Sequence, residues 1–188
     1  ARQSALLKGQ RIQCIPNAID HRVFFCRHDK EGCRREVGLP EDKKVILFVS
    51  HRVTDQRKGM SYFIEAVDKL VAEHPEMKTT TVVAVLGGES EEIAGRLALK
   101  TCALGYVTDE KRIATIYNAA DIYVLPSIED NLPNTIMEAM ACGVPCVGFR
   151  TGGIPEMIDH RQNGYVADFR KSDDLAAGMY WLLCEADY

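Results

Sequence analysis

No apolar run in this chain approaches the roughly 20 residues needed to cross a bilayer. The opening stretch, Ala1-Arg2-Gln3-Ser4-Ala5-Leu6-Leu7-Lys8, lacks the apolar segment of a secretory signal. It also lacks a starting Met, which points to a piece of a longer protein. A basic excess is missing too. Twenty-three Lys and Arg against 27 Asp and Glu leave a formal net charge of −4, which argues against a nucleic-acid surface. There is no Cys-x-x-Cys. The seven cysteines, at 14, 26, 33, 102, 142, 146 and 184, are too scattered for a zinc site or a disulfide framework. Reduced, mostly buried thiols, no metal and a cytoplasmic setting are the expectation. Neither the Gly-x-Gly-x-x-Gly fingerprint nor the Gly-x-x-x-x-Gly-Lys-Ser/Thr phosphate loop is present, which counts against a dehydrogenase or an ATPase. No repeat or low-complexity segment occurs.

What remains is 188 residues, 46% hydrophobic and 27% charged, enough for one domain with a full core and short for two. Apolar runs predict strands at 11–17, 45–50, 81–86, 100–103, 121–125, 145–149 and 164–167. Between them, helical periodicity predicts a helix from 60 to Pro75, a short helix at 90–97, one at 109–119 capped by Thr108, one ending at Gly143, a short one from 151 and a last one at 172–185. Residues 18–43 read as a long surface connection with a short helix at 31–37, and no function attaches to them. Strands alternating with helices, and apolar on both faces, predict a doubly wound parallel sheet, Rossmann-like, over residues 1–188. In such sheets ligands lie outside the carboxyl ends of the strands. The polar or glycine-rich turns at 51–59, 87–90, 104–107, 127–134 and 151–155 all follow strands, so they should converge on one edge.

The chain is organised around Pro126-Ser127-Ile128-Glu129-Asp130-Asn131-Leu132-Pro133-Asn134-Thr135 and the helix that follows. Asp130 and Asn131 are capping types, and Pro133 suits the first helical position. The unpaired amides of a helix start favour an anion. Yet Asp130 and Glu138 border the same place. Phosphates together with hydroxyls would satisfy both signs, as in a nucleotide sugar, and Glu138 can accept from two adjacent hydroxyls. Arg52 and Lys58, six residues apart in the first loop, supply a fork and a point charge for a diphosphate. A solvated basic loop is the competing reading, Arg57 competes for either role, and His51 is a bystander. Gly87-Gly88 allows close backbone approach but also suits any tight turn. Gly152-Gly153 reads as structural.

Several segments together resemble a known family: Ile15-Pro16-Asn17-Ala18-Ile19-Asp20, Arg57-Lys58-Gly59, Ala119-Ala120-Asp121-Ile122-Tyr123-Val124-Leu125-Pro126-Ser127, Glu138-Ala139-Met140-Ala141-Cys142-Gly143-Val144-Pro145 and Thr151-Gly152-Gly153-Ile154-Pro155-Glu156. Nearly the whole chain looks like the C-terminal, donor-binding half of a GT-B glycosyltransferase, in the retaining family 4 group. That family carries two glutamates with seven residues between them. Here the second is Glu138 and the first position holds Asp130, one methylene shorter, with Glu129 as an alternative. The resemblance implies that Glu138 holds the ribose, that Asp130 faces the transferred sugar, and that Arg52 and Lys58 neutralise the diphosphate. It implies donor contacts from Gly87, Gly88, Asn131, Leu132, Asn134 and Thr135, and reading of the base at Tyr106 and Val107. The donor would be a UDP-sugar or a GDP-sugar, with no cofactor or metal.

The family's acceptor-binding N-terminal domain would be absent from this chain. An acceptor glycan or lipid would be met through that domain, and the full-length protein would sit peripherally at a membrane without spanning it. The apolar side of the last helix would then face solvent. Two other readings are a nucleotide-binding module without transfer activity and a GT-B nucleotide-sugar epimerase.

Overall fold

The computed structural model describes residues 5–6, 9–11, 13 and 17–186. The strand expected at 11–17 falls largely outside them. Six strands form one sheet: β1 (Lys44–Arg52), β2 (Thr81–Gly88), β3 (Lys100–Gly105), β4 (Ile122–Leu125), β5 (Cys146–Phe149) and β6 (Gly164–Ala167). Their order is β3-β2-β1-β4-β5-β6, and every neighbouring pair is parallel. The helices are α1 (Lys30–Val37), α2 (Met60–Glu73), α3 (Met77–Thr80), α4 (Ser90–Ile93), α5 (Glu110–Ala119), α6 (Asn134–Ala141), α7 (Ile154–Met157) and α8 (Ser172–Tyr180).

Alternation along each strand sorts the core into two. Successive side chains point to opposite faces of a sheet. Ile46, Phe48, Val83, Val85, Val124 and Val147 therefore pack with Phe63, Val67 and Leu70 of α2 and Leu175 and Met179 of α8. Val45, Leu47, Val82, Ala84, Tyr123, Leu125 and Cys146 pack on the other face with α1, α5 and α6. A strand buried on both faces reads as an unbroken apolar run, because helices leave it no solvent side.

Several local expectations are corrected. The helix over 109–119 is capped by Asp109, whose carboxylate accepts from the Lys111 amide, and not by Thr108. The helix expected at 90–97 closes at Ile93. The last helix does not face solvent on its apolar side. Leu175, Met179, Leu182 and Leu183 are all buried, the chain continues as one wide turn over Trp181–Glu185, and the Lys44 ammonium donates to the Leu183 carbonyl. Of the described cysteines, Cys33, Cys142 and Cys146 are buried, but Cys26 and Cys184 are exposed. Burial pushes the Cys142 thiol up to about 12, which leaves it protonated and unreactive.

The segment 18–43 is not a surface connection. Phe24, Cys33, Val37 and Leu39 are core residues. The Asn118 side chain of α5 accepts from the Arg27 amide at 2.6 Å and donates to the Phe25 carbonyl at 3.0 Å. Arg34, with a side chain only 7% exposed, reaches Asp121 at 2.6 Å and also donates to the carbonyls of Ala119 and Glu41. Asp121 accepts further from the Val45 amide and from Lys30. One carboxylate thus ties α1 to the starts of β1 and β4. Removing one partner of a buried pair strands the other charge. Asp121→Ala should cost about 3 kcal/mol of unfolding free energy in a denaturant titration, on the scale measured for such truncations.

Candidate functional site

The strand order reverses between β1 and β4, so the crossovers from these two strands leave in opposite directions and open a crevice at their carboxyl ends. After β1 the chain makes a single tight turn, Gln56–Lys58, whose amide at Arg57 is held by the Asp55 carboxylate. Gly59 ends that turn at φ +70° and begins α2. A Cβ there would run into the carbonyl oxygen of Pro126, so only glycine allows the two loops to touch. The Ile128 amide then donates to the Arg57 carbonyl at 2.9 Å.

The turn after β4 is braced from its other side. Gly152, at φ +52°, lies where any Cβ would strike the Asp130 carbonyl, and the Gly153 amide donates to the Asn131 carbonyl at 2.6 Å. Gly152-Gly153 is structural, and what it shapes is the seat of Asp130. That carboxylate is 14% exposed and accepts from Lys58 Nζ at 2.8 Å and from the Asn131 amide at 3.0 Å. Glu129 beside it is exposed. The expectation that Asp130 and Asn131 cap the following helix is corrected. α6 begins at Asn134, Pro133 occupies the cap position, and no side chain caps it, because the Asp130 carboxylate is drawn back to the lysine.

Glu138 lies in the second turn of α6, half-buried, and accepts from the Tyr117 hydroxyl at 3.0 Å. Burial raises its pKa, and the tyrosine hydrogen bond opposes the rise. Asn134 is exposed and accepts from Asn17 at 2.9 Å, while Thr135 is half-buried. Leu132 lines an open, largely apolar cleft of about 560 Å³ with Ile19, Met137, Met140 and Met157.

The loop after β2 meets the same edge. A Cβ on Gly87 would collide with the Ser50 carbonyl, and the Gly88 carbonyl accepts from the Val53 amide at 3.2 Å. The need for glycine at 87 therefore comes from β1, whatever binds nearby. Ser90 Oγ accepts from the Gly105 amide at 3.2 Å, joining this loop to the turn after β3. There Tyr106 is 57% exposed and sets its ring edge-on to His51 at 5.1 Å, whereas Val107 is half-buried.

Arg52 does not stand alone at the end of β1. It donates to Glu89 at 3.1 Å, and Thr54 donates to the second oxygen of the same carboxylate. The Thr54 hydrogen bond, helped by the Arg52 charge, lowers the Glu89 pKa. Arg57 is engaged at 2.9 Å by Asp55, the residue that caps its own turn. Glu89 was missed in the sequence, although it directly follows Gly87-Gly88. Its backbone, at φ +66°, is unusual for a residue with a side chain. Among the described residues, no group of three or more His, Cys, Asp or Glu side chains is placed to hold a metal ion, and no helix is long and apolar enough to cross a membrane.

A cation pair, a carboxylate and a free helix start at a switch point are the parts of an anion-and-hydroxyl site, and the relatives of this chain bear on what it holds. Residues 43–185 match the family described as Glycosyl transferases group 1, and the chain belongs to it. The sheet with its flanking helices is that of a GT-B C-terminal domain. N-acetyl-alpha-D-glucosaminyl L-malate synthase of Bacillus anthracis is 31% identical over 180 residues, covering 92% of this chain and 44% of that protein. Sucrose-phosphate synthase of Thermosynechococcus elongatus superimposes with a TM-score of 0.79 at 23% identity, over 95% of this chain and 45% of its own. Anabaena HepE, solved in complex with UDP and glucose, gives 0.72 at 23% identity, over 90% of this chain and 46% of its own. The chain thus spans a little under half the length of each of these three proteins.

Because the folded state raises the Glu138 pKa, its ionised form opposes folding. That penalty is absent below the ordinary glutamate range and grows as pH rises through it toward the raised value. Glu138→Gln should therefore raise the thermal midpoint at pH 7, and the gain should vanish at pH 3.5, below the ordinary value of about 4.3. A midpoint unchanged at pH 7 would mean that burial costs the carboxylate nothing.

Proposed function

We propose that this chain is the donor-binding half of a retaining glycosyltransferase of the family 4 group, taking a nucleoside-diphosphate sugar and serving an acceptor held by a further domain. The observation that carries this reading is the Lys58–Asp130 pair at the switch point, with a cation from one strand end and a carboxylate from the next held 2.8 Å apart. The UDP and glucose bound by HepE support the donor class. The L-malate synthase among the chain's relatives, named for joining N-acetyl-glucosaminyl to malate, supports transfer to a hydroxyl-bearing acceptor. A cytoplasmic location, with the whole protein peripheral at a membrane, belongs to the same proposal.

In this reading Arg52 and Lys58 take the diphosphate, and no metal is assigned to it. When the bond between the anomeric carbon and the phosphate oxygen breaks, the electron pair leaves with the nucleoside diphosphate. Cations already in place stabilise that developing charge without reorganisation. Asp130 faces the anomeric centre, where positive charge develops. Glu138 accepts from the ribose hydroxyls, its ring-side orientation set by Tyr117. Leu132, Asn134 and Thr135 offer amides at the uncapped start of α6, the Asn131 amide being held by Asp130, Gly87 and Gly88 line the approach, and Tyr106 and Val107 sit where a base would be read.

Calorimetric titration with UDP, GDP and their sugars tests this. Lys58→Ala and Glu138→Ala should each weaken nucleotide binding by about 1–3 kcal/mol, the range for hydrogen bonds to charged groups. Affinity unchanged in both variants would leave Arg52 and Lys58 as a solvated loop. In this reading the chain by itself should transfer no sugar, since the acceptor would be held by a further domain. Turnover of a nucleotide sugar with an added acceptor would contradict that.

A further inference from the structure

Each basic side chain at the carboxyl edge of β1 is already matched to a carboxylate of the chain: Arg52 to Glu89, Arg57 to Asp55 and Lys58 to Asp130. Two of these pairings need little explanation. Asp55 caps the turn that carries Arg57, and Asp130 is seated by the loops around it. Glu89 is different. It sits on the far loop, after β2, in the left-handed backbone region that costs an ordinary residue free energy and that glycine would occupy at no cost. The strained residue holds its carboxylate against the Arg52 fork with one oxygen and against the Thr54 hydroxyl with the other.

A carboxylate accepting from a guanidinium and a hydroxyl presents the same pattern of acceptors as two oxygens of a phosphate. We propose that Glu89 is an internal counter-ion that occupies the diphosphate position at Arg52 and must be displaced before a nucleoside diphosphate binds, so that it sets donor affinity and favours ligands able to compete for that fork. This rests on the donor-site reading above. In the empty site the pair keeps Arg52 oriented and neutral to passing anions. When the diphosphate arrives, Arg52 exchanges one set of oxygens for another, and Glu89 leaves both Arg52 and Thr54 and swings to solvent, which its partial exposure permits. The exchange forms and breaks only hydrogen bonds and an ion pair. No proton needs to move, since the Glu89 carboxylate is ionised at neutral pH.

The test compares UDP and uridine binding by calorimetry in the wild type, Glu89→Gln, Thr54→Val and, as a control for general charge, Glu91→Gln, an exposed residue in the first turn of α4. Glu89→Gln should tighten UDP by about twofold to fivefold, the scale of an exposed ion pair, and leave uridine unchanged. Thr54→Val, which alters no charge, should also tighten UDP by loosening the carboxylate, and Glu91→Gln should not. UDP binding that is unchanged or weaker in Glu89→Gln, or a gain equalled by Glu91→Gln, would overturn the proposal while leaving the donor site standing. A folded wild type that binds neither UDP nor GDP would overturn the donor-site reading itself.

Discussion

The structure depends on one constraint of topology: β1 and β4 are neighbours in the sheet, yet the chain winds away from them to opposite sides. Parallel strands must be joined by crossovers, and right-handed crossovers running in two directions cannot cover the point where the direction changes. The edge of the sheet is therefore open there. The chain fills it with loops that meet backbone to backbone: the Ile128 amide donates to Arg57 and the Gly153 amide to Asn131, while Gly59 and Gly152 pack against the carbonyls of Pro126 and Asp130. These close contacts do what side-chain packing does elsewhere. They make the crevice rigid enough to hold Lys58 and Asp130 at hydrogen-bonding distance.

That rigidity has an electrostatic counterpart. The cations at this edge repel each other, and the chain meets this with its own carboxylates. Under the proposed donor binding, association would exchange partners more than add new ones. Such a site gives up affinity and keeps its side chains ordered. Glu138 shows the same compromise differently: its carboxylate is held half-buried by Tyr117, against its own desolvation, where an amide would fold more comfortably.

The sheet was legible from the apolar runs because burial on both faces leaves a signal that needs no partner to interpret. Val45–Val49 and Val82–Leu86 appear as strands for that reason alone. Arg52, Lys58, Asp130 and the glycine turns were legible as candidates because each directly follows such a run. The segment 18–43 was misjudged because its core contribution is made by isolated residues, Phe24, Cys33, Val37 and Leu39, without sustained periodicity. Its buried arginine looks like any surface arginine until Asp121 is seen beside it. The capping of α6 was misjudged for a related reason. Asp130 is a good cap by residue type, but a lysine 72 positions earlier in the chain outcompetes the helix for it.

The order of strands and helices, the doubly wound class and the edge where a ligand belongs follow from the sequence by itself, since hydrophobic periodicity and the position of turns are local properties. Which charges face one another was decided only by tertiary structure. Coulombic partners are chosen by proximity in space, and in a parallel sheet the ends of β1, β2 and β4 meet although the chain separates them by tens of residues. The pairing of Arg52 with Glu89 belongs wholly to that second kind.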